Sequence, residues 1–245
     1  MTENNTTHRV LCTGDIHGSH SIRKLSSHSF KYNNLDPPLT KDDYLIICGD
    51  FGLLWYPENS ELDKQDRYWL NWLDDKPWTT LFVDGNHENF ERLNSYPVEE
   101  WNGGKIHRIK DSVIHLMRGQ VFTLGNKTFA CIGGGKSHDI EYRIEGRSWW
   151  PEEIPSQEER DEAIANLEKH NWKVDYVITH DTPTSCANRL IHTPDRHPNE
   201  YTDWLEKEIA NKLEFNQWFF GHYHQDRELF DGKFQCMYHD VTQIL

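Results

Sequence analysis

The sequence predicts an α/β protein built on two sheets. Strand-length apolar runs alternate with helix-like segments as far as Leu93, which builds a parallel sheet covered on both faces. From Ile106 onward the runs become short and close together, the texture of a second, antiparallel sheet. The longer runs also end repeatedly in a glycine beside a carboxylate, amide or imidazole. Arg9–Thr13 reads as the first strand, followed by a short helix at Ser21–Ser27 and a loop at Leu35-Asp36-Pro37-Pro38. Asp43–Cys48 carries the unbroken apolar run Tyr44 to Cys48, a strand buried on both faces. Ser60–Asp75 has a helical stripe of Leu62, Tyr68, Trp69, Trp72 and Leu73, opened by Ser60 with Asp63 three residues on. Thr79–Val83 is the third strand, and Glu88 to Leu93 a short helix.

The second sheet is read from Val113–Met117, Gln120–Leu124 and Lys127–Ile132, with Gly125-Asn126 as a turn. Gly133-Gly134-Gly135 opens an irregular stretch, Lys136 to Pro155. Ser156–His170 is an amphipathic helix with a capping box of Ser156 and Glu159. Val174–Thr179 is a buried strand, Thr202–Leu213 a helix and Phe215–Phe220 a strand. Glu228–Phe230 and Lys233–Tyr238 form a last hairpin around Asp231-Gly232.

Composition narrows the function. A chain of 245 residues without a Pro/Gly/Ser-rich linker reads as one domain, 1–245. Only 36% of it is hydrophobic, but ten tryptophans supply bulky core material. A formal charge of −14 excludes a protein that coats long duplex nucleic acid through its phosphates, yet allows a small phosphorylated substrate where bound cations invert the local sign. Five cysteines without a C-x-x-C pair make no disulfide framework; Cys12, Cys48 and Cys131 read as buried thiols in a reducing compartment. The polar start, Met1 to Thr7, shows no signal peptide, and no run has membrane-spanning length, which points to a soluble, cytoplasmic chain.

The chemistry lies at the strand ends. In Gly14-Asp15-Ile16-His17, side chains at i and i+2 of an extended chain point the same way, so Asp15 and His17 offer an oxygen and a nitrogen to one point. Gly49-Asp50-Phe51-Gly52, Gly85-Asn86-His87-Glu88, Thr179-His180 and Gly221-His222-Tyr223-His224 have the same character. Each alone is ordinary turn chemistry; their number sets them apart. Ligands gather outside the carboxyl ends of strands in open α/β sheets. Seven donors, Asp15, His17, Asp50, Asn86, His180, His222 and His224, exceed the needs of one tetrahedral metal. They suit two metals sharing a carboxylate, roughly 3.5–4 Å apart, the arrangement for in-line displacement at phosphorus.

This ordered set resembles the calcineurin-like metallophosphoesterase family, whose five motif blocks occur here in order along nearly the whole chain. The resemblance implies a two-sheet αββα sandwich with metals at one edge. It implies one cation held by Asp15, His17, Asp50 and His224 and a second by Asp50, Asn86, His180 and His222. Asp50 and a hydroxide would bridge the pair, and His87 would face the phosphoryl group and the leaving oxygen. The cations implied are divalent transition metals (Mn, Fe, Ni, Co or Zn), with Mn favoured. The expected activity is hydrolysis of a phosphomonoester or phosphodiester; a nuclease or nucleotide phosphodiesterase is one alternative and a non-catalytic binding module another. One departure stands out. Protein phosphatases of the family place an Asp and an Arg where this chain has Leu53 and Leu54. Arg143, Arg147 and Lys136 are the candidates for replacement anion contacts.

Other motifs have plainer readings. Ala130 to Ser137 ends like a nucleotide-binding P-loop but lacks its first glycine and reads as a turn. Trp149 and Trp150 read as packing residues of the long loop, with stacking on a base as the other possibility. The remaining histidines, His192 and His197 included, read as solvent-facing or hydrogen-bonded, and His138 is singled out beside the glycine loop.

Overall fold

A strand with apolar residues on both faces needs cover on both. Alternation along β2 shows how that cover is divided: Leu45 and Ile47 enter one apolar cluster, and Ile46 and Cys48 another. The computed structural model describes residues 8–191 and 199–245; Met1 to Thr7, His192 and His197 lie outside the described residues. In chain order the described elements are β1 (Val10–Thr13), β2 (Tyr44–Cys48), α1 (Asp63–Asp74), β3 (Thr79–Val83), α2 (Phe90–Leu93), β4 (Val98–Trp101), β5 (Gly104–Lys110) and β6 (Val113–Leu116). They continue with β7 (Gln120–Leu124), β8 (Lys127–Ile132), α3 (Gln157–Lys169), β9 (Tyr176–Thr179), α4 (Thr184–Leu190) and α5 (Glu200–Trp204). A π-helical turn, Leu205–Ala210, leads to β10 (Gln217–Phe220), β11 (Arg227–Leu229), β12 (Phe234–Cys236) and β13 (Thr242–Gln243).

Two mixed sheets result, in the orders β13-β1-β2-β3-β6-β5-β4 and β11-β12-β10-β9-β8-β7. Their inner faces meet in a core containing Ile46, Leu81, Val83, Phe122, Phe129, Ile178 and Phe219. The outer face of the first sheet packs on α1 through Leu45, Ile47, Phe82, Leu70 and Leu73. The outer face of the second packs on α3, α4 and the π-helical turn through Val177, Trp218, Leu167, Leu190 and Leu205. The layers are therefore α, β, β, α.

One strand lies elsewhere than its sequence suggests. Val113–Met117 reads as part of the second sheet, but β6 belongs to the first, parallel to β3 and antiparallel to β5. The chain crosses between the sheets at Gly119 (φ +71°), so neighbouring strands β6 and β7 part company. The second sheet is also mixed, since β8, β9, β10 and β12 run parallel to their neighbours in that series. Strands β4, β5 and β13 and helix α4 have no counterpart in the sequence reading. β4 is solvent-exposed and carries two glutamates, β13 has two residues, and neither presents an apolar period.

Two local predictions match in detail. Gly125 and Asn126 both hold left-handed backbone (φ +53° and +63°), as the type I′ turn between β7 and β8 requires. Ser156 accepts from the Glu159 N–H while Glu159 reaches back to the Ser156 N–H, a complete capping box on α3. The five cysteines are free and buried, with Cys12 and Cys48 thiols 3.3 Å apart. Among the described residues no helix is long and apolar enough to cross a membrane.

Candidate metal centre

The parallel strands β1, β2 and β3 of one sheet and β9 and β10 of the other release their candidate ligands at a common edge. The loops there pack without room for side chains. A Cβ on Gly221 would lie 2.0 Å from Asp15 Oδ1, and one on Gly85 would lie 2.1 Å from Asp50 Oδ1, so both positions need glycine. The loop after β1 is pinned to the loop after β2: the N–H groups of Ile16 and His17 donate to the Asp50 carbonyl, and Gly18 donates to Phe51.

Asp15, His17, Asp50 and His224 form one group whose ligand atoms all lie within 4.8 Å of one another. His17 Nε2 and His224 Nε2 approach to 2.9 Å, and His224 Nε2 is 3.1 Å from Asp15 Oδ2. The route to this convergence differs from strand alternation. His17, Asp50, His222 and His224 all hold left-handed backbone (φ +45°, +48°, +67° and +51°), which aims their side chains back into the site. Such conformations in non-glycine residues are costly and collect at functional sites.

A second group forms around His180, which is fully buried. Its Nδ1 donates to the Cys48 carbonyl at 2.8 Å, so Nε2 faces Asn86 Oδ1 at 3.0 Å, Asp50 Oδ1 at 3.2 Å and His222 Nδ1 at 3.2 Å. Asn86 is held in that orientation by its amide donating to Ser137 Oγ, which in turn donates to Glu153. Asp50 stands between the groups, Oδ1 toward His180 and Oδ2 3.7 Å from His17 Nε2. Burial alone would raise its carboxyl; the imidazoles of His180, His87 and His17 together hold it well below the usual range.

All seven candidate ligands thus fall into two adjoining sets of oxygens and imidazoles. That donor set fits divalent transition metals, and an imidazole fixed by a carbonyl at one nitrogen presents the other in a defined direction.

His87 follows Asn86, and its N–H donates to Asp50 Oδ1 at 2.8 Å while its ring stands 5.3 Å from that of His17. Arg143 Nη1 donates to His87 Nδ1 at 3.0 Å and to the Ser148 carbonyl, and Arg143 Nε pairs with Asp139. Burial pushes the His87 imidazole below its ordinary value; the Asp50 charge opposes this and the Arg143 guanidinium adds to it. Arg143 Nη2 also lies 3.4 Å from His87 Nε2, so the guanidinium faces both ring nitrogens.

The other two candidate cations lie differently. Lys136 is exposed beside the glycine loop, and Arg147 lines a cleft with Trp150 and Arg92 that His87 does not line. Leu53 and Leu54 are buried in the core beneath the first sheet. The triple glycine is not a phosphate cradle. Gly134 and Gly135 give their N–H groups to the Asp84 and Glu153 carbonyls, and Ser137 gives its own to Glu153.

Several contributors escaped the sequence reading. Buried Glu88 accepts from the N–H groups of Phe51, Gly52 and Gly85, tying the loops that carry Asp50 and Asn86; burial and then the Asp50 charge push it up to about 8. Lys24 donates to the carbonyls of Gly14, Asp15 and Tyr238, and the Tyr238 ring stacks on His224 at 4.6 Å. Glu88 could have been found from its place beside Asn86-His87; nothing near Lys24 or Tyr238 signals the role. The His138 ring is 5.6 Å from that of His222, at the margin of the site.

Known proteins resemble this chain in sequence and in fold. A family model described as calcineurin-like phosphoesterase matches residues 8–226. A lariat debranching enzyme of Schizosaccharomyces pombe (strain 972 / ATCC 24843) is 25% identical over 234 residues, 82% of this chain and 49% of that protein. The chain thus spans about half the length of this curated relative. Among solved structures, a phosphopantetheinyl hydrolase from Mycobacterium tuberculosis superposes with a TM-score of 0.51 at 16% identity, over 98% of this chain and 97% of the other, a likeness of fold.

Proposed function

Because the chain belongs to the calcineurin-like phosphoesterase family, we propose that it hydrolyses a small phosphomonoester or phosphodiester with two divalent cations bound. Asp15, His17 and His224 would hold one, Asn86, His180 and His222 the other, and Asp50 would serve both. The observation that carries this reading is Asp50 itself, a buried carboxylate with one oxygen toward each imidazole group. The cations supply positive charge against the phosphoryl oxygens and lower the pKa of water.

The remaining steps belong to the chain. His87, its ring 5.3 Å from that of His17, would donate to a phosphoryl or leaving oxygen, and Arg143 holds the imidazole in place. Of the three candidates Arg143 is the one that contacts His87, so it is the preferred anion contact. Glu88 and Lys24 position the loops.

The test is turnover of bis(p-nitrophenyl) phosphate and p-nitrophenyl phosphate with Mn²⁺. Asp50→Asn should abolish it, and His87→Ala should lower kcat by about 10²–10⁴. Activity indifferent to both substitutions would refute the mechanism.

A further inference from the structure

A cavity of about 210 Å³ adjoins the metal centre, sharing His17 and His87 with it and walled also by Trp55 and Tyr56. It is smaller than the ~300–1,000 Å³ clefts that enclose whole drug-sized ligands. One ring system fits it better than an entire cofactor does.

The wall is built to a degree that a surface loop does not need. Both backbone N–H groups of Trp55 and Tyr56 donate to the buried carboxylate of Asp66, at 3.0 and 3.2 Å. Both carbonyls are also taken: Asn89 donates to that of Trp55, and Arg92 to that of Tyr56 while also pairing with Asp63. The Trp55 ring stands edge-on to the buried Trp150 at 5.5 Å. Just before this dipeptide Leu53 and Leu54 turn into the core, anchoring its entry. A tryptophan fixed at N–H, carbonyl and ring, facing a cavity beside a phosphoester site, is preorganised for a planar partner.

We infer that this cavity is a subsite for the nucleobase of a nucleotide ester, stacked on the Trp55–Tyr56 wall while its phosphate sits at the metal centre. A saturated chain would fill the apolar space equally well but would gain nothing from stacking on the two aromatic side chains that line it. The inference rests on the phosphoesterase reading and names its substrate class.

The test compares two diesters with a common leaving group, thymidine 5′-(p-nitrophenyl phosphate) and methyl p-nitrophenyl phosphate, on the Mn²⁺-loaded full chain. The wild type should prefer the nucleoside ester through KM. Trp55→Ala should cut that preference, the ratio of the two kcat/KM values, roughly ten- to hundredfold, and Trp55→Phe should keep most of it. An unchanged ratio in Trp55→Ala overturns the subsite. If the wild type hydrolyses neither ester nor p-nitrophenyl phosphate, the phosphoesterase reading fails; with no diester turnover the subsite is judged by calorimetric titration with thymidine 5′-monophosphate. Binding that weakens tenfold or more in Trp55→Ala upholds it; equal or absent binding overturns it.

Discussion

Asp43 shows how much a single buried carboxylate organises away from the metal centre. Its oxygens accept from the Arg9 N–H, the Arg9 guanidinium and the Thr40 N–H, and Arg9 in turn donates to the carbonyls of Pro37 and Pro38. This knot fixes the entry to both β1 and β2, and hence the strand ends from which Asp15 and Asp50 emerge. Burial would raise the Asp43 carboxyl, but the Arg9 hydrogen bonds hold it below its ordinary 3.8. A carboxyl with a lowered folded-state pKa contributes stability that is present above the unfolded value and lost as pH falls through the folded one. Asp43→Asn should therefore cost about 1.5–3 kcal/mol at neutral pH, measured by urea unfolding. The gap to the wild type should begin to narrow below about pH 3.8 and close as the pH falls through the lower folded value, and a gap that ignores pH would show that the ion pair is not its source.

At the same scale the sequence named the residues that the structure gathers at one edge and was mistaken about how they converge. Asp15 and His17 meet through left-handed backbone at His17, not through strand alternation. A residue's φ is imposed by its neighbours, here by two N–H groups reaching the Asp50 carbonyl, and no local pattern announces it. Glu88, Lys24 and Tyr238 were missed for the related reason that each acts across the fold, holding a loop distant in sequence.

Elements with strong periodicity or defined turn chemistry were legible. The unbroken apolar runs of β2, β3 and β10 are buried strands, and the capping box opens α3 where Ser156 stands. Elements defined only by pairing were not legible. β13 gains its structure from β1, and β6 joins β3 although it lies beside β7 in sequence. The β7–β8 turn gives a direct check on the local account. Asn126 at φ +63° sits where a Cβ-bearing residue without Asn's local hydrogen bonding is strained. Asn126→Ala should destabilise by about 1–2 kcal/mol while Asn126→Gly should be close to neutral. Equal losses in chemical denaturation would mean that the Asn side chain, not the backbone conformation, is what matters.

For the whole molecule the governing fact is that a chain of net charge −14 brings Asp15 and Asp50 together at full burial. Burial and mutual repulsion disfavour these charges, and the surrounding imidazoles more than offset both, holding the two carboxyls below their ordinary range. Cations bound by this donor set would bind the folded chain in preference to the unfolded one, so metal and fold should be linked. At a hundredfold excess over Kd, one bound cation stabilises the native state by about 2.7 kcal/mol. The most direct measurement is Mn²⁺ stoichiometry by titration calorimetry on chelator-treated chain, with thermal unfolding followed in parallel. The wild type should bind two equivalents with a rising Tm, His224→Ala and His180→Ala should each retain about one, and Asp50→Asn should retain neither at comparable affinity. Fewer than one equivalent in the wild type, or Asp50→Asn binding as the wild type does, would contradict the account.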